Sequence, residues 1–147
     1  GLHANVTRSV YFGDSVPVEI EKPYQAALEI EAACVAACVP GNRWCDILEM
    51  QKSMLRKRGY PEEWRNHFPG GRTGYSVCEC DFSLSADRRI VDRECYDWFI
   101  TITGAKVEEL SLNAAGKREV LSSVGNWPAK KFEAGGEVIA LPELLLR

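Results

Sequence analysis

Between Pro23 and Arg58 apolar side chains recur at three- and four-residue steps, and after residue 60 most of the chain recurs at two-residue steps. A helix lines one face with every third or fourth residue and a strand with every second, so one segment cannot satisfy both periods. The switch restricts the chain to an α+β arrangement, with two helices packed on one face of a curved, mostly antiparallel sheet. Ala27, Ile30, Cys34 and Cys38 mark the first helix, and Pro23 suits its first turn. Pro40-Gly41 stops it, and Asn42 offers an N-cap for a second helix. The apolar side of that helix is Trp44, Ile47, Leu48, Met54 and Leu55, and it closes at Lys57-Arg58-Gly59.

The strands read less uniformly. Ala4 to Gly13 carries Val6, Val10 and Phe12 on one side and predicts a strand that ends in a turn at Gly13-Asp14. Phe68 to Gly74 holds three glycines and predicts a loop, followed by an alternating strand from Tyr75 to Phe82. Cys95 to Thr103 alternates Tyr96, Trp98, Ile100 and Ile102 with Asp97, Phe99 and Thr101. Lys106 to Leu112 places Glu108, Leu110 and Leu112 on one face, and a turn over Asn113 to Lys117 leads into a hairpin partner at Arg118 to Val124.

Composition narrows the function classes. With 147 residues, 46% of them hydrophobic and 27% charged, the chain is expected to form a single domain over residues 1–147 around one core. A net charge of −3 lacks the basic excess of nucleic-acid or anionic-membrane binders, so neither partner is expected. No apolar run approaches the roughly 20 residues that span a bilayer, and the start lacks a signal-peptide pattern, which predicts a cytoplasmic protein. A chain that opens on Gly1 without Met is expected to have its native start upstream. The six cysteines include no C-x-x-C and accompany only two histidines, so buried reduced thiols are expected rather than a zinc site.

Two titratable residues stand out. His67 precedes glycine-rich backbone that a ligand can approach closely, which makes it a catalytic candidate; a surface or capping histidine is the plainer reading. Glu108 shares its face with Leu110 and Leu112, where an unpaired carboxylate is costly, so a metal, a proton or an arginine such as Arg8 is expected to compensate it. The GGRTG segment does not match a phosphate-binding P-loop.

Four segments together go further than composition. NVTRSVYFG at 5–13, HFPGGRTGY at 67–75, WFITITGAKVEE at 98–109 and WP at 127–128 occur in the order and spacing of the pita-bread superfamily of Xaa-Pro aminopeptidases, prolidases and creatinase. The chain resembles its bacterial Xaa-Pro-peptidase-like branch, with motifs of the form D-x-T-R, H-H-Q-G-G-x-T-G-Y and W-N-P-S-I-T-G-x-K-x-E-D. The resemblance covers the end of the first half of a pita-bread catalytic domain and all of the second. It therefore implies a partial pita-bread fold.

It also implies a site. Working members hold two divalent metals, commonly manganese or cobalt, with two Asp, one His and two Glu, and the metals activate a water for attack on the peptide carbonyl. Among the matching positions here, Glu108 keeps its carboxylate, Asn5 stands where Asp is expected, and Phe99 stands where the other Glu is expected. The H-H pair is His67-Phe68, so if its second member is the ligand that role falls to Phe68. The remaining Asp is expected upstream. Gly70, Gly71 and Tyr75 fall in the motif that lines the substrate. The resemblance thus predicts a truncated or degenerate peptidase domain that carries no metal and has little activity alone. Its uncovered edge is expected to pair with a second copy or an upstream N-terminal domain. A metal-independent, creatinase-like hydrolase using His67 and Glu108, and a non-catalytic interaction module, are the alternatives.

Overall fold

The computed structural model describes residues 1–81 and 87–147. A short strand β1 (Val10–Tyr11) is followed by helices α1 (Val18–Ala37) and α2 (Trp44–Lys57) and a 3-10 turn at Glu63–Arg65. Strands β2 (Gly70–Thr73), β3 (Cys80–Asp81), β4 (Cys95–Ile102), β5 (Ala105–Ala114) and β6 (Lys117–Val120) form a five-stranded antiparallel sheet in the order β3-β2-β4-β5-β6. Strands β7 (Ala129–Ala134) and β8 (Glu137–Pro142) form a separate hairpin, and β9 (Leu145–Leu146) pairs in parallel with β1.

Helix α1 is the centre of the core. Its buried residues, from Pro23 through Leu28, Ile30, Cys34 and Val35, fall on nearly all sides. It is enclosed by β4 and β5, by α2 and by the β7–β8 hairpin. It starts earlier than expected. Pro17 occupies the N-cap and its carbonyl accepts from the Ile20 and Glu21 amides, while Glu19 and Glu21 place negative charge in the first turn. Pro23 therefore lies inside the helix rather than at its start.

Helix α2 is one-sided, with Trp44, Ile47, Gln51 and Leu55 buried. Its end is the one predicted: Gly59, at φ +89°, follows the cap, and the Tyr60 and Gly59 amides donate to the carbonyls of Leu55 and Arg56. Its beginning is not. Arg43 is the N-cap, and Asn42 turns backward so that its Nδ2 donates to the Ala37 carbonyl at 2.9 Å, closing α1 instead. Across the sheet, Tyr96, Trp98, Ile100 and Ile102 of β4 are buried beneath the helices, with Trp44 edge-on to Tyr96 at 6.1 Å.

Three strand expectations need correction. Only Val10–Tyr11 of the first strand is paired along its length; before it, single backbone hydrogen bonds tie His3 to Gly74 and Thr7 to Glu108. The glycine segment is not a loop, because Gly70–Thr73 is β2 itself, paired with both β3 and β4. Of the expected strand at 75–82, only Cys80–Asp81 is strand, and Phe82 lies outside the described residues. Among the described residues no helix is long and apolar enough to cross a membrane.

Candidate functional site

The β4–β5 ladder is continuous from Cys95↔Leu112 to Ile102↔Ala105. Alternation therefore sorts its side chains strictly between the helix face and the opposite face. Trp98 and Glu109 go to the helix face; Asp97, Phe99, Lys106, Glu108 and Leu110 go to the other, which is where the candidate residues gather.

Glu108 is 8% exposed, and its Oε2 accepts from the Thr7 hydroxyl at 2.6 Å and from Lys106 Nζ at 2.8 Å. Pairing with Arg8, one of the compensations the sequence left open, does not occur. Arg8 donates to Glu109 on the helix face, where Ser122 Oγ also donates to the same carboxylate. The physical reason is the alternation itself: adjacent residues of one strand point to opposite sides, and Arg8 is delivered to the helix side.

Diagonal to Glu108 on the same face lies Asp97, whose register partner is Leu110. Asp97 is 1% exposed, and neither carboxylate oxygen has a hydrogen-bond partner. Burial pushes its carboxyl up to about 7; the Asn5 amide and Lys106 oppose the shift, while Glu108 and Glu109 add to it. The Asn5 Nδ2 is likewise buried without a hydrogen-bond partner. Asn5 thus faces a carboxylate instead of serving as one.

At the other end of this face is an aromatic group. Phe99 meets Phe68 edge-to-face with centroids 4.9 Å apart, and His67 stacks on Phe68 at 4.7 Å and meets Phe99 at 5.5 Å. Lys106 Nζ lies 5.4 Å from the Phe99 centroid. His67 Nδ1 is 2.8 Å from the Phe68 carbonyl, so the neutral ring keeps its proton on Nδ1 and leaves Nε2 as the acceptor. His67 and Glu108 are not hydrogen-bonded to each other. The cavity of about 460 Å³ beside His67 is lined by Leu48, Lys52, Trp64, Arg65, Phe68 and Pro69, without Glu108.

Of the expected substrate residues, Gly70 is committed to packing. A Cβ there would stand 2.2 Å from the Asp97 carbonyl oxygen at φ +132°, so glycine is required for β2 to approach β4. Gly71 is paired with Asp97 and Asp81. Tyr75 is 82% exposed beyond the end of β2, and its amide donates to Glu79 Oε1.

The residues present do not fit a pair of divalent ions. Such a centre needs several anionic ligands around both ions. This face offers Asp97, Glu108 and the Asn5 amide, with Phe99 and Phe68 packed together and an ammonium already on Glu108. Among the described residues, no group of three or more His, Cys, Asp or Glu is placed to hold a metal ion. The sequence reading missed Asp97, Thr7 and Lys106. The signal for Asp97 was its two-residue phase with Phe99, while Thr7 and Lys106 stand at the T of D-x-T-R and the K of the later motif without having been singled out.

Comparison with known proteins gives these observations a context. The sequence model of metallopeptidase family M24 matches residues 1–109. No curated protein matches by sequence. Among solved structures, a dipeptidase from Pyrococcus horikoshii OT3 superposes with a TM-score of 0.76 at 16% identity, over 99% of this chain and 38% of its own. Dipeptidase PepE from Mycobacterium ulcerans gives 0.74 at 18% identity, over 99% of this chain and 36% of its own. The N-terminal domain of the FACT complex subunit SPT16 from chickpea gives 0.67 at 16% identity, over 84% of this chain and 32% of its own. These likenesses establish a pita-bread-type fold, and the chain spans about a third of the length of the structures it resembles.

Proposed function

This chain belongs to metallopeptidase family M24, a family of metal-dependent peptidases, and from that membership we propose that it is a degenerate Xaa-Pro-peptidase-like domain whose former metal face now serves binding or assembly rather than hydrolysis. The observation that carries the reading is the occupancy of Glu108. The carboxylate that matches a metal ligand is engaged by Lys106 and Thr7. The matching position across the ladder is Phe99, directly opposite Glu108 in register. Aromatic rings cannot ligate a hard cation, and the carboxylate of Glu108, the one that matches a family ligand, is already engaged by an ammonium.

An assembly role is supported by exposed apolar residues on the segments that carry β1, namely Val6, Val10 and Phe12. It is also consistent with one solved structure of this fold being a domain of a complex subunit. The chain is expected to hydrolyse Ala-Pro no faster than buffer in the presence of millimolar manganese or cobalt, and to give no saturable heat with either ion. Turnover of Ala-Pro that depends on added metal and disappears in Glu108→Gln would refute the reading.

A further inference from the structure

We propose that the cavity between α2 and the 3-10 turn is a binding site for a small aromatic carboxylate, with Lys52 and Arg65 taking the anionic end and Phe68 and Leu48 the ring. The inference goes beyond the functional reading above and does not depend on it, because none of Asn5, Asp97 and Glu108 lines this cavity. Its volume of about 460 Å³ lies within the roughly 300–1,000 Å³ of sites that hold small organic ligands.

Charge decides the sign of the ligand. Two cations line the cavity, and among the described residues no carboxylate does. The nearby acids are turned elsewhere. Glu63 accepts from Thr103 and Asn66, while Glu49 and Glu62 pair with Lys52 and Arg65 from side chains 68% and 71% exposed. Ion pairs this exposed are weak and do not shut out a better-placed anion. They also leave donors over. Lys52 Nζ donates to Glu49 at 2.9 Å, and an ammonium has three protons to give. Arg65 meets Glu62 through Nε at 2.6 Å, and among the described residues its terminal amino groups have no hydrogen-bond partner. Those amino groups form the fork that grips a carboxylate at two points.

The aromatic residues decide the rest. Lys52 Nζ stands 4.3 Å and Arg65 Cζ 4.8 Å from the centroid of the same Trp64 ring, so one indole gathers two like charges whose repulsion an incoming anion relieves. Phe68 is 37% exposed, with His67 stacked on it at 4.7 Å, and Leu48 and Pro69 extend the apolar lining. Phe99 meets both Phe68 and His67 edge-to-face, which holds this wall in place before any ligand arrives. A bare phosphate gains nothing from such a wall, whereas a flat ring packs on it while its carboxylate reaches the cations.

The test titrates the full chain with 2-naphthoate by calorimetry, beside 2-naphthamide and inorganic phosphate, and repeats the naphthoate titration on Arg65→Gln, Lys52→Gln and Phe68→Ala. The expected result is saturable binding of naphthoate by wild type, with the amide and phosphate at least about tenfold weaker and naphthoate at least about tenfold weaker in each variant. No saturable binding by wild type overturns the inference. Equal binding of the amide overturns it too, since the cations then go unread, and so does phosphate as tight as naphthoate, since the ring then goes unread. Undiminished naphthoate binding by Arg65→Gln puts the ligand elsewhere and rejects the site. That side chain is 64% exposed, so its substitution decides the matter even where Lys52→Gln or Phe68→Ala fails to fold. Ala-Pro turnover and manganese binding test the functional reading separately, and none of these outcomes alters them.

Discussion

Glu108 and Glu109 are neighbours in the chain and live in different surroundings. Glu109 faces the helices, is 1% exposed, and is clasped by Arg8 and Ser122. Glu108 faces away from them and is held by a lysine about one-third exposed. Burial lifts the Glu109 carboxyl above its ordinary range against the pull of Ser122 and Arg8. The helix face therefore enforces its polar contacts by enclosure, whereas the opposite face holds a cation that solvent can still reach. Enclosure fixes the fold; accessibility leaves room for exchange.

The contrast can be broken most severely from the helix side. Trp98, fully buried, donates from Nε1 to Cys38 Sγ at 3.1 Å, and Trp98→Ala should cost about 3–5 kcal/mol in chemical denaturation. A loss under about 1 kcal/mol would mean that the helices do not depend on this face. Arg8→Ala strands a buried carboxylate and should cost about 3 kcal/mol. Lys106→Ala, which removes a partner that is about one-third exposed, should cost nearer 1 kcal/mol. Equal losses from these two substitutions would erase the distinction between the faces.

A finer probe is Glu31, on the α1 side facing the sheet, fully buried with both oxygens lacking a hydrogen-bond partner. Burial raises its carboxyl well above 4.5, and the nearby Glu109 and Asp97 charges push the same way. A group whose folded value is raised stabilises the native state fully below its unfolded value, and that contribution fades as pH climbs toward the folded value. The unfolding midpoint should therefore fall as pH rises from about 4.5. Glu31→Gln should flatten the slope, and an unchanged slope would assign the effect to other groups.

Much of the architecture was legible. The change of period separated helices from strands, and Gly59 ended α2 where its φ of +89° requires glycine. The β5–β6 turn, with Ala115 and Gly116 both at positive φ, also fell within the expected segment. The β7–β8 hairpin was equally marked by Gly135-Gly136, both at positive φ, but went unread because Ala129–Ala134 alternates exposed and half-buried residues without a strong apolar side. Gly70 was misread for a different reason. Its glycine answers a close approach from β4 in another part of the chain, and nothing in the local pattern distinguishes that from a loop.

The sequence by itself determined which residues share a face, because side-chain direction along a helix or strand depends only on spacing. That sufficed to put Trp98 and Glu109 on one side and Phe99 and Glu108 on the other. Which group of the first segment each carboxylate receives was decided only by tertiary structure. Thr7 and Glu108 stand 101 residues apart, as do Arg8 and Glu109. Their pairing follows from how the first segment is threaded against β5. Spacing within a segment is local, whereas threading between segments is a property of the whole core, and it is the threading that placed the Thr7 hydroxyl on Glu108 and the Arg8 guanidinium on Glu109.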